Sequence, residues 1–289
     1  MNIQKSFHNP DNGKLYLVAT PIGNLEDMTF RAVRMLKEVQ WIAAEDTRQT
    51  RKLLTHYEIS TRLVSYHEHN KQNSGPELIR HMQNGDSVAL VSDAGTPAIS
   101  DPGYDLVRLA IEQDIEVVPI PGANAALCAL IMSGMMTDRF TFVGFMPRDR
   151  SSQQQLLGKL GAANGTLLFY ESPYRVEKTL VAMTEAFGEE RQVCLIRELT
   201  KRYEEAVRGT IRECLGHLAA YPPQGEYCIV VAQGEESNSD TSSWWESLTE
   251  EEHVAHYEEQ GLHRKDAIKQ AAVDRGVPKR DLYNRLVQN

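Results

Sequence analysis

The sequence lacks the signatures by which enzymes built on alternating strands and helices usually announce their nucleotide. No Gly-x-Gly occurs anywhere in its 289 residues, so there is no dinucleotide fingerprint. No glycine-rich run ends in Lys-Ser or Lys-Thr, which excludes a P-loop, and the Gly-x-Ser-x-Gly elbow of hydrolases is missing too. Cysteine is scarce. Cys128, Cys194, Cys214 and Cys228 lie far apart among apolar neighbours, which reads as buried filler rather than a disulfide framework or zinc site. His67-Glu-His69 is the nearest approach to a metal motif, and without a third clustered ligand no metal is expected. No apolar run approaches the roughly 18–20 residues needed to cross a bilayer, so no membrane partner is expected. Met1 to Gly13 is polar and has no signal-peptide core, which makes the cytoplasm the expected compartment.

Positive charge is also in deficit, with 31 Lys and Arg against 40 Asp and Glu for a net charge of −9. Phosphate recognition needs local rather than total positive charge, and here the charge is segregated. Residues Glu235–His263 carry nine acids and no Lys or Arg, whereas Arg264–Asn289 carries seven bases against three acids.

What is present is a regular alternation. Lys14–Ala19, Gln40–Ala44, Arg62–Tyr66, Ser87–Ser92 and Glu116–Ile120 read as strands. Between them Met28–Val39, Gln49–Tyr57, a segment opened by a Ser74-Gly-Pro-Glu77 capping box and running to Gln83, and Tyr104–Gln113 read as helices, with Ala123–Met132 following the last strand. This spacing predicts a mostly parallel sheet covered on both faces. A second series has strands at Phe140–Phe145, Thr166–Tyr170, Gln192–Arg197 and Tyr227–Ala232, with helices at Gln153–Leu160, Tyr174–Ala186 and Thr210–Ala219. Gly234 to Ser243 is a polar, Ser-rich linker, and three short helices follow it, the last one basic. These helices fit either a helix-turn-helix unit for nucleic acid or a docking element that never touches it. The expected fold class is α/β, divided at residues 1–135, 136–234 and 235–289.

Polar, glycine-bearing segments recur where strands of the first series end, the edge at which open α/β sheets bind ligands. Thr20-Pro-Ile-Gly-Asn24 follows the first strand, and Gly23 there offers close backbone approach to a ligand. Glu45-Asp-Thr-Arg48 follows the second; its acids either face a cation or, through Asp46 or Thr47, cap the next helix. Ser92-Asp-Ala-Gly-Thr-Pro-Ala-Ile-Ser-Asp-Pro-Gly103 is the most informative, a rigid display of backbone amides and carbonyls suited to an adenine and ribose, with carbonyls or Asp93 to face a sulfonium. Asp101 before Pro102 reads as a helix N-cap. Pro119-Ile-Pro-Gly-Ala123 leaves room for a ligand at a helix start, or simply allows tight packing. In the second series, Glu171-Ser-Pro-Tyr-Arg175 and Arg197-Glu-Leu-Thr-Lys201 place charges at strand ends.

Taken in order, VATPIGNLEDMT, AAEDTRQT, SYHEHN, LVSDAGTPAISDPG, VVPIPGANA, FYESPYRV, RELTKRYEE and GEYCIVV closely resemble the ribosomal RNA small-subunit methyltransferase I family of the tetrapyrrole-methylase superfamily. They span Leu15 to Val231, and the remainder resembles that family's C-terminal helical extension. The resemblance implies two α/β domains of tetrapyrrole-methylase type with S-adenosylmethionine in the cleft between them, and a homodimer. It implies 2′-O-ribose methylation of a cytidine in the decoding region of 16S rRNA, within the small ribosomal subunit. It places the cofactor against the loops of Pro21, Gly23, Asp93, Ala94, Gly95, Thr96, Ile99, Pro121, Gly122 and Ala123.

Methyl transfer from a sulfonium to a ribose hydroxyl is an in-line displacement, so the protein must align the reactants and help the hydroxyl lose its proton. Glu45 and Glu198 are the candidate bases, with Lys201 and Arg197 as electrostatic support. Arg48, Arg175, Lys279 and Arg280 are the candidates for gripping RNA phosphates. Two rival readings are a methylase of small tetrapyrroles and a non-catalytic ribosome assembly factor.

Overall fold

Alternating apolar residues decide which face of each strand is buried, and here both faces of the first sheet are covered. In the computed structural model, which describes residues 3–4, 13–161, 164–234, 245 and 248–287, this sheet has the order β3-β2-β4-β1-β5. Its strands are β1 (Leu15–Val18), β2 (Trp41–Ala44), β3 (Arg62–Ser65), β4 (Val88–Val91) and β5 (Val117–Ile120). Every pairing in it is parallel, as the alternation predicts. Ala89 and Val91 of β4 pack with α1 (Phe30–Glu38) and α2 (Thr47–His56), whereas Val88 and Leu90 pack with α3 (Lys71–Gln83) and α4 (Tyr104–Glu112). That two-sided burial is why β4 reads as an unbroken apolar run. A fully buried Leu of this kind contributes about 1.5–3 kcal/mol relative to exposure.

The second sheet has the order β6-β7-β10-β8-β9. Its strands are β6 (Phe140–Phe145), β7 (Thr166–Glu171), β8 (Gln192–Arg197), β9 (Glu205–Thr210) and β10 (Tyr227–Val231). Only β6 and β7 run parallel; the other pairings are antiparallel. One face is covered by α6 (Arg150–Leu160), α7 (Val176–Phe187) and α8 (Ile211–Ala220). The other face is covered by α5 (Ala125–Ser133), the helix that leaves β5 of the first sheet. Ala126, Ala129 and Leu130 of α5 pack on Leu168, Cys194, Ile196 and Val230. Both ends of α5 are also tied down. The Ala126 amide donates to the Tyr170 hydroxyl (3.0 Å), and Arg208 donates to the carbonyls of Met132 and Ser133. One helix thus clamps the two sheets together and fixes the cleft between them.

Three local expectations are corrected. The helix over Lys71–Gln83 starts before Ser74, so no Ser74 capping box forms and Pro76 lies inside the helix. Asn70 sets the start instead, its side chain accepting from the His67 amide and donating to the Ser65 carbonyl. Asp101 does not cap α4; Gly103 occupies that position. The charged stretch after Arg197-Glu-Leu-Thr-Lys201 contains a strand, β9, which pairs along one side only and lacks the apolar run of a central strand. Two other expectations hold. Asp46 caps α2, the capping alternative weighed for its segment, and the four cysteines are free, three of them buried. Among the described residues no helix is long and apolar enough to cross a membrane, and no group of His, Cys, Asp and Glu is arranged to hold a metal.

Residue contacts divide the chain into Met1–Gln233 and Gly234–Asn289. Residues 235–243 of the expected linker lie outside the described residues. The second unit holds α9 (Glu250–Glu259), opened by a Thr249–Glu252 capping box, α10 (Arg264–Asp274) and α11 (Lys279–Val287), packed around Val254, Ile268, Ala271, Leu282 and Leu286. His253 is fully buried and stacked on Trp245. Its Nδ1 accepts from Arg275 (3.1 Å) while Nε2 faces Asp274 (3.2 Å), an arrangement that fits the neutral imidazole. Burial and the nearby Arg275 charge hold this imidazole below its ordinary range, against the pull of Asp274. A lowered folded-state pKa means the unfolded chain binds the proton more readily. The contribution is therefore complete above the unfolded value, near 6.5, and is lost as pH falls through it. Urea titrations followed by tryptophan fluorescence should show a lower midpoint at pH 5 than at pH 7.5, and that difference should shrink in His253→Leu.

Candidate functional site

The loops at the C-terminal edge of the first sheet are stitched to one another by polar contacts. Thr20 and Gly95 exchange backbone hydrogen bonds (2.8 and 3.0 Å), and the Thr20 hydroxyl donates to the Ser92 carbonyl. The Asp46 amide donates to Asp93 Oδ1 (3.0 Å), joining the loop after β2 to the loop after β4. The Thr96 hydroxyl donates to the Ala123 carbonyl and accepts from Asn124, whose own Oδ1 caps α5. Ala98 (φ 67°) and Ser100 (φ 62°) sit in the left-handed region, strain of about 1–3 kcal/mol each that the surrounding contacts sustain.

These loops wall one side of a cavity of about 380 Å³, and the second sheet walls the other. From the first side come Ile22, Asp93–Thr96, Ile99 and Asp101; from the second come Phe145, Tyr170, Ser172, Leu199, Lys201 and Glu226. The size suits a nucleoside-like ligand, and the lining mixes apolar walls with a few converging polar groups.

The charges around it are organised by sign. Glu45, at the end of β2, is pushed up to about 6 by partial burial and by the negative fields of Asp101, Asp93 and Asp46. Burial likewise raises Asp101, against a hydrogen bond from Ser92. Asp46 is held down at about 2, chiefly by the hydrogen bonds of Arg48. On the opposite wall Lys201 Nζ donates to Glu198 and Glu226, each at 3.0 Å. Burial alone would raise Glu198, but its bonds to Lys201 and the Glu226 amide, with the Lys201 and Arg197 charges, bring it below its ordinary range.

The structure gathers Asp93, Ala94, Gly95, Thr96, Ile99 and Lys201 on the cavity wall, with Glu45 beside Asp93 and Asp101, and Glu198 behind Lys201. Pro21, Gly23, Pro121, Gly122 and Ala123 are not part of that lining. The space Gly23 leaves is taken by the second sheet: a Cβ there would lie 2.5 Å from Lys201 Cγ. Its missing side chain thus lets the two halves close, whereas Gly122 makes room for Ala19 within the first half. Arg197 is engaged by Glu205 (2.6 Å) and Arg48 by Asp46 (2.8 Å). Arg175 turns inward and donates to the carbonyls of Met146 and Pro147. Lys279 and Arg280 are exposed at the start of α11. Sequence reasoning did not single out Ile22, Phe145, Tyr170 or Glu226, whose only signal was adjacency to strand ends.

Residues 14–215 match the model of the tetrapyrrole (corrin/porphyrin) methylases. The chain is 54% identical over 285 residues to the ribosomal RNA small subunit methyltransferase I of Halalkalibacterium halodurans, covering 98% of each chain. It is 52% identical over 283 residues to the protein of that name from Bacillus subtilis, covering 97% of each. Among solved structures it resembles the uroporphyrin-III-C-methyltransferase of Thermus thermophilus, with a TM-score of 0.54, 20% identity, and coverage of 76% of this chain and 94% of that one. A diphthine synthase aligns with a TM-score of 0.61 and 12% identity over 76% of this chain and 90% of its own. At these identities the structural likenesses speak for the fold alone.

Proposed function

The chain belongs to the ribosomal RNA small subunit methyltransferase I family of the tetrapyrrole methylases, and on that premise we propose that it transfers a methyl group from S-adenosylmethionine to the 2′-hydroxyl of a cytidine ribose in the decoding region of 16S rRNA. The observation that carries the reading is the cavity itself. Backbone-rich turns with an acidic rim stand on one side and a fixed lysine on the other.

The residues present fit the donor. Asp93–Thr96 offer backbone donors and acceptors for an adenosine, Ile22, Ile99 and Leu199 offer apolar surface, and the acids at Asp93, Asp101 and Glu45 favour a cation. When bound, S-adenosylmethionine supplies a methyl group on a positively charged sulfur. The chain's own task is to hold that group in line with the ribose oxygen and to accept the hydroxyl proton. Of the two candidate bases, Glu45 is better poised, because its raised proton affinity brings it near the working pH, whereas Glu198 is tied up by Lys201. Lys201 is placed to offset negative charge developing on the oxygen.

Arg48, exposed in the first turn of α2, and the exposed Lys279 and Arg280 are the phosphate contacts of this reading. Two cations in the first turn of α11 oppose the helix dipole, so helix stability does not account for them. Arg175 is committed to internal carbonyls and drops out of that role. Exposed Leu127 and Ile131 on α5, with Met136 and Phe140, support self-association into the homodimer of this reading.

Transfer from labelled S-adenosylmethionine to small subunits lacking the modification tests the function, with the product mapped on 16S rRNA. The expected product is one 2′-O-methylated cytidine in the decoding region. Methylation of a base, or transfer to tetrapyrroles in preference to particles, would overturn it.

A further inference from the structure

The segment Glu171–Arg175 is built with more care than a surface loop needs. The Glu171 side chain is 1% exposed. It accepts from the Ser172 amide (2.9 Å) and the Thr179 hydroxyl (2.8 Å), and it faces Arg175 at 3.3 Å. Arg175 reaches on to the carbonyls of Met146 (2.6 Å) and Pro147 (3.0 Å), immediately after β6. A buried ion pair of this kind rarely adds net stability over an apolar replacement, so its value here lies in fixed geometry.

What it fixes is the backbone that carries two aromatic side chains left open to solvent. Tyr174, on the loop between Glu171 and Arg175, is 90% exposed, and Phe145, the residue before Met146, is 57% exposed. Phe145 lines the cavity, as do Ser172 and Pro173 on the Tyr174 loop. Phe145 is further held edge-on by Tyr170 (5.7 Å between ring centres), whose hydroxyl anchors α5. Arg148, exposed and without an ion-pair partner among the described residues, follows Pro147. Open aromatics on a fixed backbone, with an adjacent cation beside a cavity, are the elements that hold unpaired RNA bases by stacking.

We propose that Phe145 and Tyr174, locked by the Glu171–Arg175 clamp, form a stacking platform for unpaired nucleobases of the RNA substrate beside the methyl-transfer cavity. Resting on the rRNA reading above, this adds how the target strand is held once unpaired. Phe145 and Tyr174 are binding residues, and Glu171 and Arg175 are positioning residues.

Phe145→Ala and Tyr174→Ala, singly and together, are assayed with labelled S-adenosylmethionine and small subunits lacking the modification. Tyr174→Ala should raise the KM for particles by about tenfold with kcat and calorimetric donor affinity unchanged, and Tyr174→Phe should restore the wild-type value; Phe145→Ala, whose ring also lines the cavity, should raise the KM for particles by a similar factor. Glu171→Gln should raise KM in the same way while leaving donor affinity intact. Wild-type KM in the double variant would overturn the platform, as would a changed sedimentation coefficient, which would assign the aromatics to contact between copies. If the wild-type protein modifies no particles, the functional reading fails separately. The platform is then judged by quenching of an oligoribonucleotide containing 2-aminopurine, and equal quenching by wild type and double variant would sink it.

Discussion

Glu45→Gln should lower turnover by about 10²–10⁴-fold, the range for losing a general base, with little change in affinity for S-adenosylmethionine. The sign of the pH dependence follows from the raised proton affinity. A base must be unprotonated to act, so wild-type kcat/KM should fall as pH drops through about 6, and the residual activity of Glu45→Gln should lack that limb. Stability should move the other way. A carboxyl whose folded-state pKa lies above its unfolded value works against folding once it is ionised, so the neutral amide should raise the melting midpoint at pH 7.5. A substitution that stabilises the fold while removing activity marks a group kept for chemistry. Wild-type turnover in Glu45→Gln would send the search for the base elsewhere.

The first sheet was almost fully legible in the sequence, because parallel strands buried on both faces write themselves as apolar runs such as Val88–Val91. The segment Glu205–Thr210 was not, since an edge strand buries little and its charges look like a loop. Ser74 with Glu77 carried every mark of a helix start, yet the side chain of Asn70, bonded to the His67 amide and the Ser65 carbonyl, began the helix earlier. Local propensity lost there to a turn that could not be recognised from its composition. At the site, Asp93–Thr96 were legible because backbone must be displayed at a strand end, and they do line the cavity. Gly23 was read as room for a ligand, and the room proved to belong to Lys201. A glycine reports that something comes close, and sequence cannot say whether that is a cofactor or the protein's own second sheet. The aromatics Phe145 and Tyr170 were hidden for a similar reason. In a strand they are indistinguishable from core, and only the structure shows one lining the cavity in the open and the other anchoring α5.

Lys201→Ala should cut turnover by about 10²–10³-fold, the cost of losing one preorganised group that stabilises developing negative charge. Its effect on the donor separates it from a binding residue. The ammonium sits between Glu198 and Glu226, and removing it leaves two carboxylates uncompensated, Glu226 on the cavity wall and Glu198 behind it. A sulfonium is a cation, so affinity for S-adenosylmethionine should hold or rise even as turnover collapses. Glu198→Gln keeps an acceptor for the Glu226 amide but removes a charge that anchors Lys201, and it should cost less than losing the lysine. Gly225→Ala attacks the same arrangement through the backbone. Its φ of +75° is strained for any L side chain, and a Cβ there would lie 2.4 Å from Glu198 Oε1. Glu198 must then move and take Lys201 with it, so Gly225→Ala should resemble Lys201→Ala in kcat without touching a reacting group. If Lys201→Ala instead weakens donor binding and leaves kcat intact, the lysine serves the ground state, and the oxyanion is met from elsewhere in the cavity.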